Sequence, residues 1–411
     1  MTASARQKHA RPFTRIRPAV GGLILPLLLL LTLTAGCSRS YARFEPVFET
    51  LAGQLAADTA ADSLGGIVAA VFEGERVIWA GGFGWADAGN GIAAAPAMIS
   101  RTGSISKSFT AVALMQLVDE GVIDLDDPAV THLPALADLA ERPAGTPPIT
   151  FRQLASHTAG LIREPRLPGA AAGPIEAWEE KIVASIPTTT FRSPPGTEYS
   201  YSNIGFGILG LAISRAAGTP FTRLVEERIF RPLGMSSSTF VITPDLQDRL
   251  AVGYANNRRG EVNTEQPARE HAGRGYKVPN GGIYSTVSDL ARFAAALCGE
   301  SRRPILTESA RAEMLRFQTP PGDPAADTGE QRSGYGLGFS LTRTVDGIVL
   351  AGHGGSVAGY TAHLLFEPES ALGVVLLRNY NSGATNLGRT ARDILTELVR
   401  IHRAERGEGG R

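Results

Sequence analysis

"GGIVAAVFEGERVIWAGGFGWAD", residues 65–87, is the stretch on which the fold turns. Two runs rich in Val, Ile, Phe and Trp flank Glu73-Gly74-Glu75, so it reads as two strands joined by a turn. The same pattern returns near the other end of the chain. "YGLGFSLTRT" (335–344), "GIVLAGHGG" (347–355), "YTAHLLFEPES" (360–370) and "LGVVLLRNY" (372–380) read as strands with turn signals between them.

The segments between these ends have a different period. "TGSISKSFTAVALMQLVDEG", residues 102–121, is apolar on almost every side from 104 to 120, the mark of a buried helix. From about 123 to 275 the pattern is mainly helical with proline-rich interruptions, as in "TFRQLASHTAGL", "IGFGILGLAISRAAG" and "FTRLVEERIFRPLGM". "STVSDLARFAAALCG" (285–299) starts with hydroxyl and acidic capping candidates, and "NLGRTARDILTELVRIHRAE" (386–405) closes the chain as a helix. The expected fold class is α/β plus an all-α lobe: an antiparallel sheet built from N- and C-terminal strands and flanked by helices. This composite unit spans 48–403, with the helical lobe at about 123–275, and is not two independent domains.

The 411 residues are 43% hydrophobic and 19% charged, ordinary for a globular chain. Basic and acidic residues balance at 40 each. Five of the basic ones precede residue 20, and no acid occurs before Glu45. No basic face for nucleic acid is implied. The basic start leads into "AVGGLILPLLLLLTLTAGC", residues 19–37, an apolar core of signal-sequence length. Pro26 weakens a permanent membrane span.

That run ends on Thr34-Ala35-Gly36-Cys37, which resembles the lipobox of bacterial lipoproteins, with Thr34 where that pattern prefers leucine. The resemblance implies a signal peptide at 1–36, lipidation of Cys37 and a tether at 37–47. The folded part would then be extracytoplasmic, anchored by its lipid in the cell envelope. Ordinary secretion and an uncleaved anchor are the alternatives. With Cys37 lipidated, the one other cysteine, Cys298, has no intramolecular disulfide partner and reads as a small buried hydrophobe.

Three short constellations carry the chemistry. In the first, Ser104 and Lys107 share a helix face, so the amine can take the hydroxyl proton once desolvation has made it neutral. Ser106 does not share that face. Composition alone gives about 0.25 occurrences of Ser-x-x-Lys, so the motif is weak by itself. Lysine usage strengthens it: beside 36 arginines there are only four lysines, and one stands inside an apolar helix where arginine cannot act as a base. The plain alternative is an N-cap serine with a snorkelling lysine.

The second is Tyr201-Ser202-Asn203 before a glycine-rich helix; a tyrosine near a lysine cation can ionise below its usual pKa and relay protons. Its plain reading is an aromatic plug and a cap. The third is His353-Gly354-Gly355-Ser356, where glycines permit close backbone approach and a histidine can meet a carboxylate or pass a proton. A glycine-rich turn with an incidental histidine is the alternative.

In this order and at these separations the three resemble the Ser-x-x-Lys, Tyr-x-Asn and Lys/His-x-Gly elements of the serine β-lactamase-like superfamily: class C β-lactamases, DD-peptidases and related esterases. "ITFRQLASHTAGL", "PPGTEYSYSNIGFGILG", "RIFRPLGMSSSTF", "GGIYSTVSDLARF", "YGLGF" and "GHGGSVAGY" extend it over about residues 45–400. The resemblance implies acyl transfer through an acyl-enzyme. Ser104 is the nucleophile, Lys107 the base helped by Tyr201, and the Ser104 and Ser356 N–H groups hold the oxyanion.

Asn203 would orient the acyl group, and His353 and Gly355 would line the substrate site. No metal or cofactor is implied, and His157 is read as structural. His353-Gly354 stands where class C β-lactamases carry Lys-Thr, which disfavours efficient β-lactamase action and leaves esterase, D-amino-acid amidase and DD-peptidase open. The expected partners are a small-molecule or peptidoglycan-peptide substrate, and the membrane through the N-terminal lipid. A non-catalytic ligand sensor or envelope scaffold is the rival from another class.

Overall fold

The computed structural model describes residues 41–319 and 332–407. The expected signal peptide (1–36) and lipidation site Cys37 lie outside them. Residues 42–47 of the expected tether, 37–47, are helical. A 3-10 turn at Ala42–Phe44 runs into helix α1 (Glu45–Asp62), so the folded part begins before residue 48. The physical reason is local: Glu45 and Pro46 suit a first helical turn, and Phe44, Val47, Phe48, Leu51 and Leu55 form one buried stripe.

The hairpin at 66–87 is β1 (Gly66–Glu73) and β2 (Arg76–Asp87), followed by the short β3 (Ile92–Ala93). Strand β4 (Ser100–Arg101) leaves this sheet and leads to α2 (Ser106–Asp119). The middle of the chain carries α3 (Phe151–Ala155), α4 (Trp178–Ser185), α5 (Asn203–Ala217), α6 (Phe221–Val225), α7 (Pro244–Gln247), α8 (Glu265–Arg269) and α9 (Val278–Gly281). A small hairpin, β5 (Ala255–Asn256) with β6 (Val262–Asn263), interrupts it, and β7 (Tyr284–Ser285) pairs with β4. Then come α10 (Val287–Cys298), α11 (Glu308–Met314), β8 (Arg332–Tyr335), β9 (Ser340–Arg343), β10 (Val349–Val357), β11 (Tyr360–Phe366), β12 (Leu372–Arg378) and α12 (Leu387–Glu405).

The main sheet has the order β3-β2-β1-β12-β11-β10-β9-β8, and its pairs are antiparallel. The two ends of the chain meet at β1 and β12, with Val71 opposite Val374. Both strands are buried at successive positions rather than alternate ones, so both sheet faces are covered. Helices α1 and α12 pack together against the sheet, while α10 packs on β1 and β12. Arg378 at the end of β12 pairs with Asp58 at 2.8 Å and with Asp62, which ties α1 to the sheet.

The middle segment is less helical than its pattern suggests. "TFRQLASHTAGL" is helical only over Phe151–Ala155; Thr150 and Gln153 form a capping box at its start, and His157 turns left-handed just past its end, at φ +60°. Short helices and turns there wrap one long apolar helix, α5. Buried from Ser106 to Leu117, α2 lies between α5, α9 and α11, with Phe109 stacked on Phe293 of α10 at 3.8 Å.

Candidate active site

Of the three serines fronting α2, one faces open space. Ser106 Oγ accepts a hydrogen bond from the Ile283 N–H at 3.2 Å, and Ser108 Oγ donates to the Gly338 carbonyl at 2.8 Å; both are fully buried. Ser104 sits in a 3-10 turn (Gly103–Ile105) ahead of the helix and lines an open cleft of about 500 Å³. Tyr201, Arg163, His353, Gly355 and Ser356 line the same cleft.

Lys107 lies one turn behind Ser104, with no exposed surface. Its Nζ is 3.0 Å from Ser104 Oγ, 2.8 Å from Asn203 Oδ1 and 3.1 Å from the Asn280 carbonyl. Burial pushes its pKa well below the lysine range; Arg163 pushes the same way and Glu164 opposes. A neutral amine has two hydrogens and one lone pair. Asn203 Oδ1 and the Asn280 carbonyl can only accept, so they take both hydrogens and leave the lone pair for the Ser104 hydroxyl. Glu164 fixes the orientation of the Asn203 amide by accepting from its Nδ2 at 2.5 Å.

Two sequence expectations change here. Asn203 Oδ1 accepts from Lys107 and one Nδ2 hydrogen goes to Glu164, so the amide also positions the lysine, a task its sequence context did not show. Tyr201 is hydrogen-bonded to Ser104, and its ring lies 4.9 Å from Lys107 Nζ, yet burial pushes its phenol up to about 12. It rests as a proton donor, not as a phenolate, because burial disfavours its charged form.

His353 also differs from expectation. Its Nδ1 lies 2.6 Å from the Gly354 carbonyl and its Nε2 2.9 Å from the Tyr335 hydroxyl, so Nδ1–H donates and Nε2 accepts. Burial lowers its pKa to about 3. It therefore cannot meet a substrate carboxylate as a cation near neutrality.

Strand β10 continues past its partner: pairing with β9 ends at Gly352, and the following residues pack against the Ser104 turn. The approach is close enough to require glycine. A Cβ on Gly103 (φ +53°) would lie 2.8 Å from the Ser356 nitrogen. One on Gly355 would lie 1.9 Å from the Thr102 carbonyl and 3.2 Å from the Ser104 nitrogen. The Ser104 turn and the Gly355–Ser356 backbone are thus in close contact where both line the cleft.

Sequence reasoning missed Glu164, Asn280 and Tyr335. Glu164 also accepts from the Tyr276 hydroxyl and pairs with Lys277 at 3.2 Å. Scarcity was the available signal for that group, since Lys277 is another of the four lysines. Cys298 is half-buried with its thiol pushed up by burial, as suits a packing residue.

A large antiparallel sheet, a buried helix fronted by a serine–lysine pair and a Tyr-x-Asn loop beside it define a fold class shared by serine β-lactamases, DD-peptidases and related esterases. The beta-lactamase family model matches residues 51–397, and the chain belongs to that family. The chain is similar to the D-alanyl-D-alanine-carboxypeptidase/endopeptidase AmpH of Escherichia coli (strain K12), 29% identical over 343 residues, covering 81% of this chain and 84% of that protein. It is 28% identical to penicillin-binding protein 4 of Amycolatopsis lactamdurans over 327 residues, 77% and 81% of the two chains. The solved beta-lactamase/D-alanine carboxypeptidase of Yersinia pestis superposes with a TM-score of 0.64 at 26% identity, over 86% of this chain and 99% of that one. These likenesses indicate a hydrolase of the β-lactamase/penicillin-binding superfamily.

Proposed function

We propose that the protein is a serine hydrolase that cleaves an ester or amide through an acyl-enzyme on Ser104, and that its N-terminal segment delivers it, lipid-anchored at Cys37, to the outer side of a membrane. The observation that carries the catalytic reading is the buried Lys107 amine, with two acceptors occupying its hydrogens and Ser104 Oγ 3.0 Å away.

In the first half-reaction Lys107 takes the Ser104 proton as Oγ bonds the carbonyl carbon, and the carbonyl electron pair moves to oxygen. The Ser104 and Ser356 N–H groups receive that charge. The carbonyl re-forms, the bond to the leaving group breaks, and Tyr201 gives it a proton. Lys107 is then a cation beside a phenolate, each stabilising the other. In the second half-reaction water gives a proton to Tyr201 as its oxygen bonds the acyl carbon. Lys107 returns its proton to Ser104 as the acyl–serine bond breaks. Both groups end as they began.

Neutral His353 supplies no cation for a substrate carboxylate, so the reading favours esters and D-amino-acid amides, which need none, over β-lactams. The test compares turnover of a p-nitrophenyl ester, a D-alanyl-D-alanine peptide and nitrocefin by the native protein and Ser104→Ala. The expected loss on at least one of the first two is about 10⁴-fold or more. Native protein inert toward all three, or a Ser104→Ala variant as active as native, contradicts the proposal.

A further inference from the structure

His157 follows α3 and touches neither the cleft nor Ser104, yet its contacts converge on Tyr201. Its carbonyl accepts the Ser200 N–H at 2.7 Å, and its ring Nδ1 accepts the Ser202 N–H at 3.0 Å. The two residues flanking Tyr201 are therefore both held by one side chain and its backbone. The imidazole packs on the Tyr201 ring with centroids 4.1 Å apart, and Phe206 and Tyr335, each at 4.8 Å, close around it.

This arrangement is costly if packing is its only purpose. Acceptance at Nδ1 places the proton on Nε2, which is buried without a hydrogen-bond partner. A buried unpaired N–H loses its bonds to water without replacement. The left-handed backbone adds strain for a residue with a Cβ. A phenylalanine would fill the aromatic cage without the stranded N–H, but it would leave the Ser202 N–H unsatisfied.

We propose that His157 is a positioning residue for Tyr201, aiming the phenol at the leaving group by fixing the backbone on both sides of it and backing its ring. This rests on the proposed role of Tyr201 as proton donor. Burial holds the imidazole well below its usual pKa, so Nδ1 stays available as an acceptor.

The test uses two esters with one acyl group: p-nitrophenyl butanoate, whose leaving group departs unprotonated, and ethyl butanoate, whose leaving group needs a proton. Native protein, Tyr201→Phe, His157→Ala and His157→Asn are compared by kcat/KM. The ratio of the two values in a single preparation does not depend on the fraction folded, so a merely structural role leaves it unchanged. His157→Ala is expected to lose about 100-fold on ethyl butanoate and about 5-fold or less on the nitrophenyl ester, the pattern of a displaced general acid. Tyr201→Phe should show the same selectivity. His157→Asn keeps an acceptor near the Nδ1 position and tolerates a left-handed backbone, so it should recover about tenfold on the ethyl ester.

Equal losses on both esters in His157→Ala, or an Asn variant no better than Ala, overturn the role of His157 while leaving Tyr201 intact. Tyr201→Phe without leaving-group selectivity overturns the proton-donor reading and this inference with it.

Discussion

At the scale of single residues, the site depends on a lysine whose pKa burial pushes well below its usual value, against the pull of Glu164. Its depressed pKa sets the sign of the pH dependence: Lys107 is competent only after losing its proton, so kcat/KM rises as pH climbs through that ionisation. His353 is neutral above about 3, so it adds no limb between pH 5 and 8. A pH–rate profile checks this, and a His353→Gln variant should keep its shape. Lys107→Arg, permanently charged, should lose about 10³-fold or more in kcat/KM at every pH.

The lysine was legible because the chain otherwise uses arginine. Its partners were not. Glu164, Asn280 and His157 lie 39 to 173 positions from the residues they serve, brought near only by the fold. Asn203 was visible, but its partners, and so its task, were not.

At the scale of elements, the site exists where β10 runs past β9 and meets the turn before α2. Gly355→Ala would drive a methyl group into the Thr102 carbonyl, so the strand and the turn must part. Unfolding in urea should show a loss of about 1–3 kcal/mol, and ester turnover should fall with it. Gly53→Ala in α1, with nothing within 4 Å of the new methyl, is the control. It should stabilise by about 0.5–1 kcal/mol and leave turnover unchanged.

The hairpin, the C-terminal strands and helix α2 were readable as apolar runs bounded by turn or capping residues, and α10 and α12 by their helical period. The middle segment was overread as helix. Its apolar spacing serves short turns that wrap α5, and a left-handed residue such as His157 leaves no signal in hydrophobic period. The close approach of Gly103 and Gly355 belongs to packing between remote segments, which spacing along the chain cannot show.

At the scale of the molecule, burying neutral histidines makes the fold sensitive to acid. His157 and His353 titrate near 6.5 when unfolded but far lower when folded. Their neutral burial is fully compatible with stability above pH 6.5 and opposes it as pH falls towards the folded values. Each then costs about 1.4 kcal/mol per pH unit. Urea midpoints should therefore drop between pH 7.5 and 5, and His353→Gln should flatten that slope.

The central claim is that Ser104 becomes covalently acylated, and the intact protein can answer it directly. A fluorophosphonate should add one label per folded molecule. Trypsin and fragmentation should place that label on Ser104 within Thr102–Lys107, with Lys107→Arg protein labelled far more slowly. Label on Ser106 or elsewhere, or none on well-folded native protein, would contradict it.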